Sequence, residues 1–134
     1  MKQGVTIVIQ NKNKEFLLQL RDKKLNIPYS HHWVFPGAGV EEGEEPIWAV
    51  VREAKEEFEL ELVPGDLQFL EKYVHDEEED FIFFSKRDEL FFDMLRVHEG
   101  ERIQFFPLHE IASLKLGFGQ EFVVSLLKKL LHEN

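Results

Sequence analysis

The chain has 134 residues, of which 43% are hydrophobic and 31% charged, with 8 Gly and 5 Pro. This composition excludes disordered, collagen-like and low-complexity proteins, and the length predicts one domain over residues 1–134. The formal net charge of −10 makes the chain a poor partner for a long nucleic acid or an anionic membrane. A small phosphate ligand stays open, because a bound metal can supply the missing positive charge.

Cysteine is absent, which excludes disulfides, thiolate metal sites and a cysteine nucleophile. No apolar run approaches the ~18 residues that a membrane helix needs. Residues 1–4 lead into a strand-like stretch without a signal-peptide pattern. We therefore expect a cytoplasmic protein.

The first half of the chain predicts a hairpin, a short strand and a helix. Residues 5–9 are β-branched and continuous, which is typical of a strand covered on both faces. A polar turn at 11–14 precedes a return strand at 15–21, and a loop at 22–32 precedes a strand at 33–35. Pro46 suits the first turn of a helix over 46–58, whose apolar stripe has helical spacing. The stripe consists of Ile47, Val50, Val51, Ala54 and Phe58.

The second half predicts more strands and a closing helix. A turn at 64–66 is followed by strands at 67–74, 81–85, 91–97 and 103–106, with a solvated acidic connection at 76–80. Residues 120–131 carry a second apolar stripe and end with cations, which the helix dipole favours. This order predicts an α/β sandwich with a mixed central sheet and helices on both faces.

The predicted helix at 46–58 carries carboxylates where its dipole disfavours them. Glu53, Glu56 and Glu57 are spaced i, i+3, i+4 and share one face about 100° wide. One interpretation is a solvated acidic face, partly balanced by Arg52 and Lys55. The other is a site for a hard cation, because carboxylate oxygens from one rigid helix suit Mg²⁺ or Mn²⁺.

The segment before this helix favours the cation site. Gly37, Gly39 and Gly43 permit tight turns and close approach of a ligand. Residues 38–60 resemble the 23-residue Nudix box, and residues 33–37 resemble the run into it. The matching positions are Glu44, Arg52, Glu53, Ala54, Glu56, Glu57 and Leu60.

Two positions depart from the family pattern. Ala38 and Glu59 stand where the box opens and closes with Gly. Ala38 borders Gly37 and could shift that loop. A left-handed conformation at Glu59 costs roughly 1–2 kcal/mol for a non-Gly residue, so an alternative is that the helix runs on.

The resemblance implies a Nudix-type α/β/α sandwich that hydrolyses a nucleoside diphosphate linked to another group. A MutT-like pyrophosphohydrolase acting on a nucleoside triphosphate is the leading expectation. Mg²⁺ or Mn²⁺ would bridge carboxylates and phosphate oxygens, and an activated water would attack phosphorus. Glu53 or Glu56 would be the base, which the sequence does not separate. The implied metal ligands are the Gly37 carbonyl and Glu53, Glu56, Glu57 and Glu99.

Other roles have ordinary alternatives. Glu44 and Arg52 resemble a structural ion pair that locks the loop to the helix, or form only an exposed pair worth under about 1 kcal/mol. Arg21 would reach phosphate or is a surface charge at a strand end. Phe35 and Phe118 would contact a base, although Phe35 also fits a core position. Glu99 would complete the metal site or is an ordinary turn residue.

Competing functions remain. A catalytically weak, nucleotide-sensing Nudix-like module is the main alternative, since Ala38 and Glu59 depart from the box. Isopentenyl-diphosphate isomerase chemistry is disfavoured because the chain has no cysteine. An unrelated acidic interaction domain is a further alternative. The expected partner is a small nucleotide, and the Phe-rich strands fit either a homodimer face or only the core.

Overall fold

The computed structural model describes residues 1–22, 26–88 and 102–131. The strands are β1 (Lys2–Gln10), β2 (Glu15–Leu20), β3 (Trp33–Val34), β4 (Gly37–Gly39), β5 (Gln68–His75), β6 (Glu78–Lys86) and β7 (Arg102–Pro107). The helices are α1 (Pro46–Phe58), α2 (Leu108–Ile111) and α3 (Glu121–Leu130), with a 3₁₀ turn at Pro64–Asp66. The predicted strand at 91–97 and the predicted ligand Glu99 lie outside the described residues.

Strand β1 organises a mixed sheet. It runs parallel to β6, with Lys2 to Gln10 opposite Glu78 to Lys86, and antiparallel to β2 and β4. Strand β5 pairs with β6 at one side, and β2 pairs with β3 and β7 at the other. Because β1 has neighbours along both edges and helices over both faces, residues 5–10 are all buried, as the continuous apolar run predicts.

Two hydrophobic clusters cover the two faces of the sheet. Val5, Ile7 and Ile9 of β1 pack with Ala54 and Phe58 of α1. The alternate residue Val8 belongs to the cluster that contains Val124 and Leu127 of α3. This alternation puts one helix on each face and confirms the predicted sandwich. No helix in the described part of the chain is long and apolar enough to cross a membrane.

The predicted glycine loop contains a strand. Gly37, Ala38 and Gly39 pair with Thr6, Val5 and Gly4 of β1. A Cβ atom on Gly37 would lie 2.5 Å from the Val5 carbonyl oxygen, so this crossing admits only glycine. The low strand propensity of Gly and Ala hid β4 from the sequence pattern.

The acidic connection at 76–80 is shorter than predicted. Only Asp76 and Glu77 form the turn, both with positive φ (43° and 62°), as a two-residue hairpin requires. Glu78–Asp80 belong to β6 instead, because they pair in parallel with β1. The prediction of a solvated connection over all five residues was therefore wrong.

Helix α1 ends where the stripe predicts. Glu59 is left-handed, with φ 55° and ψ 32°, and its N–H bonds the Lys55 carbonyl. The next N–H, from Leu60, bonds the Ala54 carbonyl and closes the helix end. The alternative that the helix runs on through Glu59 is wrong, because these two bonds satisfy the terminal carbonyls.

Candidate functional site

A cleft of about 710 Å³ lies between β4, the first half of β6 and the segment that leads into α3. Five of the residues predicted to act in catalysis, metal binding or substrate binding line it: Arg21, Phe35, Gly37, Glu53 and Phe118. The sheet register brings these distant segments together, because β1 lies between β4 and β6. The cleft is the natural candidate for a ligand site.

The three helix glutamates occupy three different environments. Glu53 lines the cleft with a side chain that is 16% exposed. The Glu56 side chain is 62% exposed and lies 3.5 Å from Nη1 of Arg52. Glu57 is 4% exposed, and its Oε1 accepts a hydrogen bond from Nε2 of Gln19 at 3.1 Å. One helix turn therefore presents one carboxylate to the cleft, one to solvent and one to the interior.

The donor set has the chemistry of a hard-cation site but not the assembled form of one. No three acidic or histidine side chains among the described residues converge closely enough to hold an ion. The carboxylates of Glu53 and Glu56 both neighbour Arg52, and Gln19 holds Glu57. The oxygen donors fit Mg²⁺ or Mn²⁺ by type, since such ions keep several waters and need few protein ligands.

An ion pair fixes the loop between β4 and α1. Nε and Nη2 of Arg52 donate to the two carboxylate oxygens of Glu44 at 2.9 and 3.0 Å. Nη2 also donates to the Gly39 carbonyl at 2.9 Å, and the Glu41 N–H donates to Glu44 at 3.0 Å. The hydrogen bond from Arg52 lowers the pKa of Glu44 and raises that of Arg52. Arg52 thus ties the end of β4 to the helix that carries Glu53.

Arginine and aromatic rings meet at the rim of the cleft. The guanidinium carbon of Arg21 lies 5.0 Å from the centre of the Phe118 ring, and its Nε donates to the Pro28 carbonyl at 2.9 Å. Phe118 is 42% exposed, has φ 55°, and contacts Tyr29 at 4.6 Å between ring centres. These contacts hold an exposed ring beside a cation at the entrance.

Phe35 occupies a different position. It is 1% exposed and belongs to the cluster under α3, although it borders the cleft. Its N–H donates to Oε1 of Gln120 at 2.8 Å. This hydrogen bond from a backbone N–H to a side chain fixes the segment that precedes α3 against the strand region before Gly37.

Sequence reasoning missed Asp80 and Thr6. Both line the cleft, and Oγ1 of Thr6 donates to Oδ2 of Asp80 at 2.6 Å. Burial raises the pKa of Asp80, against the effect of the Thr6 hydrogen bond. The sequence offered one signal for Asp80, which is its position directly before the apolar run 81–85. It offered none for the pairing with Thr6, which is 74 residues away.

The comparisons with known proteins identify the family. A family model described as NUDIX domain matches residues 1–126. The chain belongs to the Nudix family. This finding confirms the resemblance seen in residues 38–60.

Solved Nudix structures share the fold over nearly the whole chain. A MutT structure, from work on the Aliivibrio salmonicida and Vibrio cholerae proteins, has a TM-score of 0.78 and 21% identity, covering 96% of this chain and 98% of that one. The NUDIX domain of Shewanella oneidensis NrtR, complexed with ADP ribose, has a TM-score of 0.77 and 16% identity, covering 96% and 87%. At these identities the likeness establishes the fold.

A curated Nudix relative matches part of the chain. The m7GpppN-mRNA hydrolase NUDT17 of Xenopus laevis is 46% identical over 59 residues, which is 44% of this chain. The match spans 20% of the length of that relative.

Proposed function

We propose that this Nudix protein hydrolyses the pyrophosphate linkage of a nucleoside di- or triphosphate derivative, with a nucleoside triphosphate as the leading substrate class. The observation that carries the proposal is the position of Glu53, a carboxylate on a rigid helix, inside a cleft large enough for a nucleotide. Family membership and the hydrolase named among the relatives support it.

We include Mg²⁺, or Mn²⁺, as the cofactor. Glu53, Glu56, Glu57 and the Gly37 carbonyl would hold it, with Glu99 as a predicted further ligand. The ion supplies positive charge that brings an anionic phosphate chain toward an acidic protein. Gln19 holds one oxygen of Glu57, and Arg52 lies beside Glu53 and Glu56, so these carboxylates would have to turn toward one another to share the ion.

The same glutamates and the remaining residues provide the base and contact the substrate. Glu53 or Glu56 takes a proton from the attacking water, and Glu53 has the better location because it lines the cleft. Arg21 meets the phosphates, and the exposed face of Phe118 stacks on a base. Phe35 supports the wall of the cleft through its backbone bond to Gln120.

Nucleotide sensing without turnover is the second candidate. Two observations favour it: the three glutamates do not converge, and a structural neighbour is a NUDIX domain complexed with ADP ribose. A cytoplasmic location and a homodimer stay predictions.

A substrate panel tests the proposal. Nucleoside triphosphates, nucleotide sugars, ADP-ribose and dinucleoside polyphosphates are incubated with Mg²⁺. Released pyrophosphate is measured directly, and monophosphate products are measured as the phosphate that a coupled phosphatase frees from them. We expect turnover of at least one substrate, and a loss of 10²-fold or more in Glu53→Gln and in Glu56→Gln. Glu61→Gln, an exposed glutamate beyond the helix, is the matched control and should retain activity. Nucleotide binding by calorimetry without turnover would favour the sensor.

A further inference from the structure

Asp80 differs from its neighbour Glu79, although both line the cleft at the start of β6. Glu79 accepts a hydrogen bond from Nε2 of Gln3 at 3.2 Å and pairs with Nζ of Lys72 at 3.1 Å. The Asp80 carboxylate accepts only the Thr6 hydroxyl among the described side chains, and it uses Oδ2 for that bond. A Cβ on Gly4 would lie 3.5 Å from Oδ1, so the absence of a side chain at Gly4 leaves this second oxygen uncovered on that side.

The charge of Asp80 limits what part of a nucleotide it can meet. A carboxylate repels phosphate oxygens, and no Lys or Arg of the described ranges lies within ion-pair distance of Asp80 to offset that repulsion. An ionised carboxylate has acceptors and no donors. Among the parts of a nucleotide, the complementary groups are therefore those that carry N–H or O–H, which leaves the base or the sugar.

Flat aromatic rings next to Asp80 favour the base. Tyr73 is directly opposite Asp80 in the β5–β6 register, so the two side chains share a face of the sheet. The Tyr73 ring stacks on Phe122, with 3.8 Å between ring centres and 14° between planes. Phe122 itself lines the cleft. A planar base that packs along this wall brings its edge toward the open oxygen of Asp80.

We propose that Asp80 determines base specificity by accepting a hydrogen bond from the exocyclic amino group of a nucleobase. This inference rests on the nucleotide site of the proposed function. Adenine, cytosine and guanine carry such a group, whereas uracil and hypoxanthine present a carbonyl oxygen or no group at the corresponding position. A carbonyl facing Oδ1 places two acceptors together and leaves the carboxylate without its bond.

Matched nucleotide pairs test this directly. CTP and UTP differ at the amino group of position 4, ATP and ITP at position 6, and GTP and ITP at position 2. Affinities are measured by calorimetry and kcat/KM by release of pyrophosphate or phosphate, for wild type, Asp80→Ala and Asp80→Asn. Asp76→Asn, in the hairpin turn outside the cleft, is the matched control. Thermal melting followed by circular dichroism establishes that each variant is folded.

We expect wild type to favour the amino member of at least one pair by about 10-fold or more, the usual value of a hydrogen bond to a charged group. Asp80→Ala should bring that ratio close to one. Asp80→Asn adds an N–H donor and should move the ratio toward the carbonyl member. Asp76→Asn should keep the wild-type ratio.

Several results would overturn the inference. They are an unchanged ratio in Asp80→Ala, a change confined to ribose against deoxyribose pairs such as CTP and dCTP, or no binding of any nucleotide. Hydrolysis with an unchanged base ratio rejects the role of Asp80 and leaves the proposed function intact. Base-selective binding without hydrolysis supports the role of Asp80 and rejects the proposed hydrolysis.

Discussion

The chain has two acidic segments, and the structure treats them differently from what their sequences indicate. The glutamates of α1 follow a helical period that predicts one shared face, yet they divide among cleft, solvent and interior. The acids at 76–80 follow no period and read as a turn, yet three of them line the same cleft. Glu53 and Asp80 thus reach one cavity by different routes, one by helix periodicity and the other by strand pairing. Function at a carboxylate depends on its surroundings more than on the density of acids around it.

The largest expected effect is a loss of kcat on substitution of Glu53, and it differs in kind from the change expected at Asp80. Glu53→Gln should lower kcat by 10²-fold or more for every nucleotide accepted, because it removes a group required for the chemistry. Asp80→Asn should change kcat/KM by different factors for different bases, because it alters recognition. Steady-state kinetics on CTP and UTP distinguish the two patterns. A uniform loss in both variants would mean that the two acids do the same work.

Substitution in strand β4, which lines the cleft together with Glu53, should give the second largest effect. Gly37→Ala places a Cβ against the Val5 carbonyl, at a backbone contact that no side-chain rotation relieves. We expect a loss of stability of about 1–3 kcal/mol by urea denaturation. Gly39→Ala is the control, because a Cβ there meets nothing within 4 Å. Equal stability of the two variants would show that β1 and β4 do not approach so closely.

The end of α1 gives a smaller effect. Glu59 is left-handed, so Glu59→Gly should be more stable than Glu59→Ala by about 1 kcal/mol in urea denaturation. Both variants remove the same side chain, so the difference isolates the backbone conformation. If alanine were as stable as glycine, the helix would continue through this position.

The smallest expected effect is the pH dependence of the protein's folding stability that arises from Asp80. Its raised pKa means that the folded state holds this proton more tightly than the unfolded state does. Stability therefore falls as pH rises from the unfolded pKa near 3.8 through the folded pKa. Asp80→Asn removes that loss, so its melting temperature should exceed that of wild type at pH 7 and approach it in acid.

Two neighbouring side chains change the pKa of Asp80. His75 favours the charged carboxylate and Glu78 disfavours it. The same melting series in His75→Gln and Glu78→Gln backgrounds separates their contributions. An advantage of Asp80→Asn that is the same at pH 4 and pH 7 would contradict the raised pKa.

Local patterns predicted much of the fold. Helix α1 has the predicted bounds because Pro46 starts it and a 3.6-residue stripe continues to Phe58. Strand β1 was predicted because a β-branched run buried on both faces is distinctive. The four-residue helix α2 was missed, since one turn carries too little periodicity to be detected.

The site was predictable only where the motif is contiguous. Residues 44 to 57 carry the Arg52–Glu44 pair and Glu53 within one stretch, so the resemblance to the Nudix box indicated them. Asp80 and Thr6 meet through parallel pairing of β1 with β6, which no local pattern encodes. The separation of Glu56 and Glu57 from the cleft depends on how α1 rotates against the sheet and on Gln19, a residue in another element.

The central claim is that Glu53 binds a divalent ion inside the cleft, and titration with Mn²⁺ tests it most directly. Binding is followed by electron paramagnetic resonance for wild type, Glu53→Gln and the exposed control Glu61→Gln. The account predicts a site in wild type that weakens 10-fold or more in Glu53→Gln and is unchanged in Glu61→Gln. Equal Mn²⁺ affinity in all three proteins would contradict it.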